Sequence, residues 1–78
     1  MHFSRLIYEV AEHKARITMN RPEKRNALDD MLVKELTSAF VAAGKDQSVK
    51  VVILAGAGPA FCAGADLDYL NKVAQFDL

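Results

Sequence analysis

The sequence predicts a mixed α/β fold with the element order β-β-α-β-loop-α. Three observations predict it. Two neighbouring stretches near the amino terminus alternate with a period of two. A following stretch repeats apolar residues in three- and four-residue steps. A short β-branched run then ends in a turn of small residues.

The first alternation sets Leu6, Tyr8 and Val10 on one face and Arg5, Ile7 and Glu9 on the other, so a strand is expected over residues 4–11. The second sets Ala15, Ile17 and Met19 against Lys14, Arg16 and Thr18. The few residues between, around Glu12 and His13, suggest a hairpin, although its turn lacks the usual Asn-Gly or Gly signal. Asn20-Arg21-Pro22-Glu23-Lys24-Arg25-Asn26 is polar, and Pro22 disfavours helix at Arg21, so this stretch reads as a loop.

A helix follows, with Leu28, Leu32, Leu36, Phe40 and Ala43 on its repeat, flanked by Met31, Val33 and Ala39. Asp29 or Asn26 can cap its start, Asp30 suits the positive end of its dipole, and Gly44 is expected to close it. Residues 49–55 are mostly apolar and β-branched, which suits a strand covered on both faces. Gly56-Ala57-Gly58-Pro59 ends that strand. A short helix is expected to start near Asp66, with Leu67, Leu70 and Ala74 facing inward. A buried strand needs neighbours on both sides, and these elements supply too few. The sequence therefore reads as an incomplete domain needing further chain or partner copies.

Composition bounds the function. The chain has 78 residues, ten basic and ten acidic, for a net charge of zero. A globule of this size buries only about 60% of its unfolded surface and is marginal alone. The charge balance gives no basic face for nucleic acid. High apolar content with low net charge argues against disorder. Cys62 is the single cysteine, so no disulfide forms within the chain. No apolar run approaches the ~18 residues that span a bilayer, and the first residues lack a signal-peptide pattern. A cytoplasmic protein with no membrane partner is expected.

The stretch that carries chemistry is Ala55-Gly56-Ala57-Gly58-Pro59-Ala60-Phe61-Cys62-Ala63-Gly64-Ala65-Asp66-Leu67. Small residues let backbone approach a ligand, and the first turn of a helix offers unpartnered N–H groups to negative charge. An N–H at Ala65 can therefore point at an oxygen that becomes negative during reaction. The bland alternative is a tight turn that needs Gly64 and nothing more. Gly56-x-Gly58 fails as a dinucleotide fingerprint, because Phe61 stands at the third glycine position and Pro59 removes a donor. A phosphate loop also fails, since no Gly-Lys-Ser/Thr follows.

Residues 60–67, Ala60-Phe61-Cys62-Ala63-Gly64-Ala65-Asp66-Leu67, preceded by Val51-Val52-Ile53-Leu54-Ala55-Gly56, resemble the signature of the enoyl-CoA hydratase/isomerase (crotonase) family. Asn20-Arg21-Pro22-Glu23-Lys24-Arg25-Asn26-Ala27-Leu28 is similar to that family's upstream CoA-contacting loop. The two matches stand in the family's order, and the resemblance covers essentially the whole chain.

The resemblance implies the amino-terminal part of a crotonase-like ββα-spiral fold. It implies an acyl-CoA or enoyl-CoA thioester as substrate, whose carbonyl sits in an oxyanion hole of two backbone N–H groups. Ala65 matches the first donor. Ala27 matches a backbone contact to the CoA arm, and Ala63 and Ala65 match backbone positions that recognise adenine and pantetheine. Gly64, Asp66 and Leu67 complete the matched segment, and Lys24 and Arg25 are candidates for the CoA phosphates. The family implies no metal and no cofactor beyond the CoA of the substrate, and a trimer or pair of trimers. The second oxyanion donor and the acid–base glutamates would lie beyond Leu78. Hydration of a 2-enoyl-CoA is the leading reaction and double-bond isomerisation the next. The rival reading is a truncated, non-catalytic CoA-binding or assembly fragment.

Other residues draw structural readings. Glu9, Glu12, Glu23 and Glu35 fit solvated positions. Cys62 fits a small buried hydrophobe, lacking an evident His partner. Asp66 fits a helix cap better than a metal ligand. Phe61 is expected to pack beneath the loop. Tyr69 and Leu70 fit either an acyl pocket or ordinary packing. His2 and His13 carry no supporting pattern.

Overall fold

A computed structural model describes residues 2–74, with side chains described for residues 2–72. Strands β1 (Leu6–Ala11) and β2 (Lys14–Met19) form an antiparallel hairpin paired from Leu6↔Met19 to Ala11↔Lys14. Its loop is therefore Glu12 and His13, with φ of 52° and 64°. Two left-handed residues are what the twist of a two-residue hairpin requires, and Gly or Asn is the usual choice. Tertiary contacts compensate here. His13 Nδ1 lies 3.0 Å from the Ser48 carbonyl oxygen, and the His13 carbonyl accepts from Lys50 N–H at 2.7 Å.

The first strand begins at Leu6, two residues later than the alternation suggests. The reason is Glu35, which corrects the expectation of a solvated charge. Glu35 is buried on helix α1 (Asp30–Lys45). Its carboxylate accepts from Ser4 N–H at 3.0 and 3.1 Å, Ser4 Oγ at 2.9 Å and Arg5 N–H at 2.7 Å. Burial alone pushes this carboxyl upward. The Arg5 and Ser4 donors outweigh that and hold it below the usual glutamate value.

Helix α1 packs on β1 and β2, and a core forms around Leu6, Ile17 and Ala39, with Phe3, Tyr8 and Leu36 against it. Asp29 is the cap, accepting from Leu32 N–H at 2.9 Å. Asn26, the other candidate, is used elsewhere. Two further expectations fail in the helix. The buried face runs through Leu32, Glu35, Ala39 and Ala43, and Phe40 is exposed. At 3.6 residues per turn, Phe40 stands about 80° round from Leu32, off the sheet-facing line. Gly44 does not close the helix. Hydrogen bonds from Asp46 N–H to Ala42 and Ala43 carbonyls carry the last turn past it.

Strand β3 (Val51–Gly56) runs parallel to β2, from Lys14↔Val51 to Met19↔Gly56, giving the order β1-β2-β3 with α1 as the crossover. The expectation that β3 is covered on both faces is corrected. Among the described residues it has one sheet neighbour, and Val51, Val52 and Leu54 are exposed. Helix α2 (Leu67–Ala74) follows the small-residue turn. Leu67 and Leu70 do not face inward: Leu67 is 76% exposed, because α2 packs on no core among the described residues. The Ala74 side chain lies outside the described set. No helix of the described residues is long and apolar enough to cross a membrane.

Candidate functional site

Two loops build the site. The first runs from β2 to α1. Pro22–Lys24 forms a single 3-10 turn, and Arg25 and Asn26 follow it with φ of 54° and 57°. Asn tolerates this left-handed backbone better than most residues. Asn26 is fully buried. Its Oδ1 accepts from Arg21 N–H at 2.8 Å, and its Nδ2 donates to the Ala57 and Ala60 carbonyls, both at 2.9 Å.

The second loop runs from β3 to α2 and closes tightly on itself. A Cβ at Gly56 would meet the Phe61 carbonyl, with Phe61 Cα at 2.8 Å and Asn26 Nδ2 at 2.9 Å. Asn26 thus ties the first loop to the second where only glycine fits. The Phe61 backbone lies over Gly56, while its side chain is exposed, contrary to the expected packing beneath the loop. Cys62 is half-buried rather than buried, with Sγ 3.5 Å from Gly64 N.

The loops then run side by side. Ala63 N–H donates to the Arg25 carbonyl at 2.9 Å, Leu28 N–H to the Gly64 carbonyl at 2.8 Å, and Asp66 N–H to the Leu28 carbonyl at 2.7 Å. The last two make a parallel bridge between Leu28 and Ala65. In such a bridge the central residue, Ala65, turns its own N–H away from Leu28. Among the described residues that N–H has no acceptor. Gly64, at φ of 104°, sets the direction of this peptide.

Ala65 lines an open cleft of about 410 Å³, together with Lys24, Ala27, Ala63, Asp66, Leu67 and Asp68. Asp66 is committed elsewhere. One carboxylate oxygen accepts from Asp68 N–H at 2.9 Å and Tyr69 N–H at 3.4 Å, capping α2, and the other lies 3.2 Å from Arg21 Nη1. The Asp68 N–H, with Arg21 assisting, holds the Asp66 carboxyl below the usual aspartate value. The Asp66 charge is thereby compensated beside the Ala65 amide. No group of three or more His, Cys, Asp or Glu side chains able to hold a metal occurs among the described residues.

The enoyl-CoA hydratase/isomerase family profile matches residues 9–77. This chain belongs to the enoyl-CoA hydratase/isomerase family. A probable enoyl-CoA hydratase of Mycobacterium bovis is 54% identical over 57 residues, 73% of this chain and 23% of that protein. A probable enoyl-CoA hydratase of Mycobacterium tuberculosis is 44% identical over 66 residues, 85% of this chain and 26% of its own length. The crystal structure of an enoyl-CoA hydratase/isomerase from Xanthobacter autotrophicus Py2 superposes with a TM-score of 0.85 at 44% identity, covering 94% of this chain and 27% of that one. The chain spans about a quarter of the length of these relatives. The mixed α/β order is thus that of the crotonase fold.

Of the residues singled out in the sequence, Lys24, Ala27, Ala63, Ala65, Asp66 and Leu67 share the cleft. Gly64 is outside the cleft lining, and its carbonyl accepts from Leu28 N–H. Arg25 is exposed and outside the cleft lining, and its carbonyl serves the Ala63 amide. Sequence reasoning missed Asn26 as the tie between loops and Arg21 as a buried cation. The signal for Asn26 was present: a short polar side chain in a loop whose tight path calls for left-handed backbone.

Proposed function

We propose that this chain forms part of an enzyme that processes acyl-CoA thioesters, with the Ala65 N–H as one of two donors to the thioester oxygen. One observation carries the reading. The Leu28–Ala65 bridge engages the flanking Gly64 and Asp66 backbone and leaves the Ala65 N–H, at a cleft, without an acceptor among the described residues. A preorganised donor at such a place favours an enolate-like oxygen over the neutral carbonyl, which lowers the barrier rather than merely binding substrate. Leu28 and the Arg25 carbonyl fix the donor strand in advance, so little reorganisation is needed when charge develops.

In this reading Lys24 meets a CoA phosphate at the cleft mouth, the backbone of Ala27 contacts the CoA arm, and the backbone of Ala63 and Ala65 receives the adenine and pantetheine. Arg25 adds charge at the outer face of the same loop. CoA enters as part of the substrate and no separate cofactor takes part. Hydration of a 2-enoyl-CoA is the leading reaction. The acid–base residues come from polypeptide outside these 78 residues: among the described residues only Asp66 and Asp68 bring carboxylates to the cleft, and Asp66 is held by a cap and by Arg21. The exposed Val51, Val52 and Leu54 of β3 support assembly with further polypeptide, and the trimer or pair of trimers is what the family resemblance implies.

The test has two parts. Intact mass establishes which polypeptide is present. Loss of enoyl-thioester absorbance with crotonyl-CoA then measures hydration. Turnover by the longer protein and none by verified 78-residue material is the expected outcome. A protein that neither turns over nor binds any acyl-CoA sinks the proposal. Binding without turnover favours the rival, a CoA-binding fragment.

A further inference from the structure

We infer that Arg21 is a positioning residue for the Ala65 amide, clamping the start of α2 to the loop that carries Ala27. The inference rests on the reading of Ala65 as an oxyanion donor. Arg21 is 8% exposed, rare for an arginine unless it is paired. Its Nη1 donates to the Ala27 carbonyl at 2.8 Å and lies 3.2 Å from Asp66 Oδ2, while Nη2 lies 3.4 Å from Asp29 Oδ2. One planar group therefore joins the cap of α1, the cap of α2 and one wall of the cleft. Ala27 and Ala65 line that cleft, and Asp66 is the residue next to Ala65.

The guanidinium is launched from a fixed point. Arg21 N–H donates to Asn26 Oδ1 at 2.8 Å, and the Arg21 carbonyl accepts from Asn26 N–H at 2.8 Å. Pro22 restricts the Arg21 backbone further. On the other side, Asp66 N–H is held by the Leu28 carbonyl at 2.7 Å. Backbone and side chain of Asp66 are thus gripped from the same loop, and the peptide before it cannot tilt freely. Without Arg21, the Asp66 carboxylate loses the cation that meets it, and Asp29 loses one of its two ion-pair partners among the described residues, keeping Arg5 at 3.4 Å. A lysine supplies a point charge that cannot reach three acceptors in a fork, so it restores the clamp only in part.

Three variants of the intact protein test this: Arg21→Gln, Arg21→Lys and Asp66→Asn. The asparagine keeps an oxygen for the α2 cap and removes the charge that Arg21 meets. The first readout needs no ligand: the NMR shift and solvent exchange of the Ala65 amide. It is expected to move in Arg21→Gln and Asp66→Asn, and less in Arg21→Lys, while amides of the β1–β2 hairpin stay put. The second readout is hydration kinetics, with kcat expected to fall by up to about 10²-fold at little-changed KM, the scale of a misplaced catalytic group. If Arg21→Gln does not fold, Asp66→Asn decides alone. An Ala65 amide unmoved in every folded variant, or a rise in KM at unchanged kcat, overturns the inference. If the wild type shows no turnover, the functional reading fails, and the amide readout still judges the clamp.

Discussion

Leu28 and Ala65 are joined as a parallel bridge in which Leu28 donates to the Gly64 carbonyl at 2.8 Å and accepts from Asp66 N–H at 2.7 Å. The bridge engages the peptide groups on either side of Ala65 and not its own N–H. Replacing the Gly64–Ala65 amide by an ester removes that N–H and leaves the Asp66–Leu28 bond intact, while the Gly64 carbonyl stays in place as a weaker acceptor for Leu28 N–H. The expected outcome is a fall in kcat of about 10²–10³-fold in steady-state hydration by the intact protein, as for loss of one oxyanion donor. The unfolding midpoint should fall only by what the weaker ester carbonyl costs the Leu28 bond, about 1 kcal/mol or less, because the deleted N–H has no acceptor among the described residues. A large loss of stability with unchanged kcat would show that the amide serves structure instead.

Asn26 makes three side-chain hydrogen bonds from a fully buried position. Asn26→Ala leaves the Arg21 N–H and two carbonyls to find other partners, at a cost of about 1–3 kcal/mol for each group left unsatisfied. Asn26→Asp keeps the acceptor for Arg21 and turns a carboxylate oxygen toward the Ala57 and Ala60 carbonyls. It should therefore be at least as destabilising as alanine at neutral pH. Urea unfolding of the two variants ranks them, and an aspartate as stable as wild type would contradict the assigned amide orientation.

The fold was legible where periodicity and burial coincide. Ala15, Ile17 and Met19 alternate in sequence and are all buried, and Leu32, Ala39 and Ala43 recur at helical spacing and are buried too. The frame of the candidate site was legible through its small residues, since the order of strand, tight turn and helix follows from Gly56, Gly64 and Asp66. What was not legible depends on partners distant in the chain. Glu35 looks like a surface charge until Ser4 and Arg5, about thirty residues away, supply its donors. Leu67 and Val51 look like core, and they are exposed because the described residues bring no element over them. The Glu12-His13 turn carries no glycine, and its compensation comes from Ser48 and Lys50.

Glu35 links acidity to stability. Its carboxyl is held below its usual value in the folded chain, despite burial, by the Arg5 and Ser4 donors. A depressed folded value means stability that is present above the unfolded value of about 4.3 and lost as pH falls through the folded one. Chemical unfolding between about pH 7 and pH 3 should show that loss, and Glu35→Gln should flatten the part due to this group. Glu35→Ala leaves Ser4 N–H and Arg5 N–H without their acceptor, for a cost of about 1–3 kcal/mol. An equal pH slope in wild type and Glu35→Gln would assign the acid sensitivity elsewhere.

Gly44 and Gly56 should respond in opposite directions to the same added methyl. Gly44 lies inside α1, and a Cβ there would meet nothing within 4 Å, so Gly44→Ala gains helix propensity without a clash. It should raise stability by about 0.5–1 kcal/mol. Gly56 ends β3, where an added Cβ meets the Phe61 backbone and comes within 2.9 Å of Asn26 Nδ2. The clash is with backbone, which cannot swing aside as a flexible side chain would. Gly56→Ala should destabilise by about 1–3 kcal/mol, the usual scale of overpacking. It should also disturb the cleft, because relief of the clash moves Phe61 and Asn26, and Asn26 holds the loop that ends at Leu28. Thermal unfolding of both variants, with the Ala65 amide shift as a local reporter, measures each effect. A Gly56→Ala protein with wild-type stability and an unmoved Ala65 amide would mean that the two loops are not coupled through this contact.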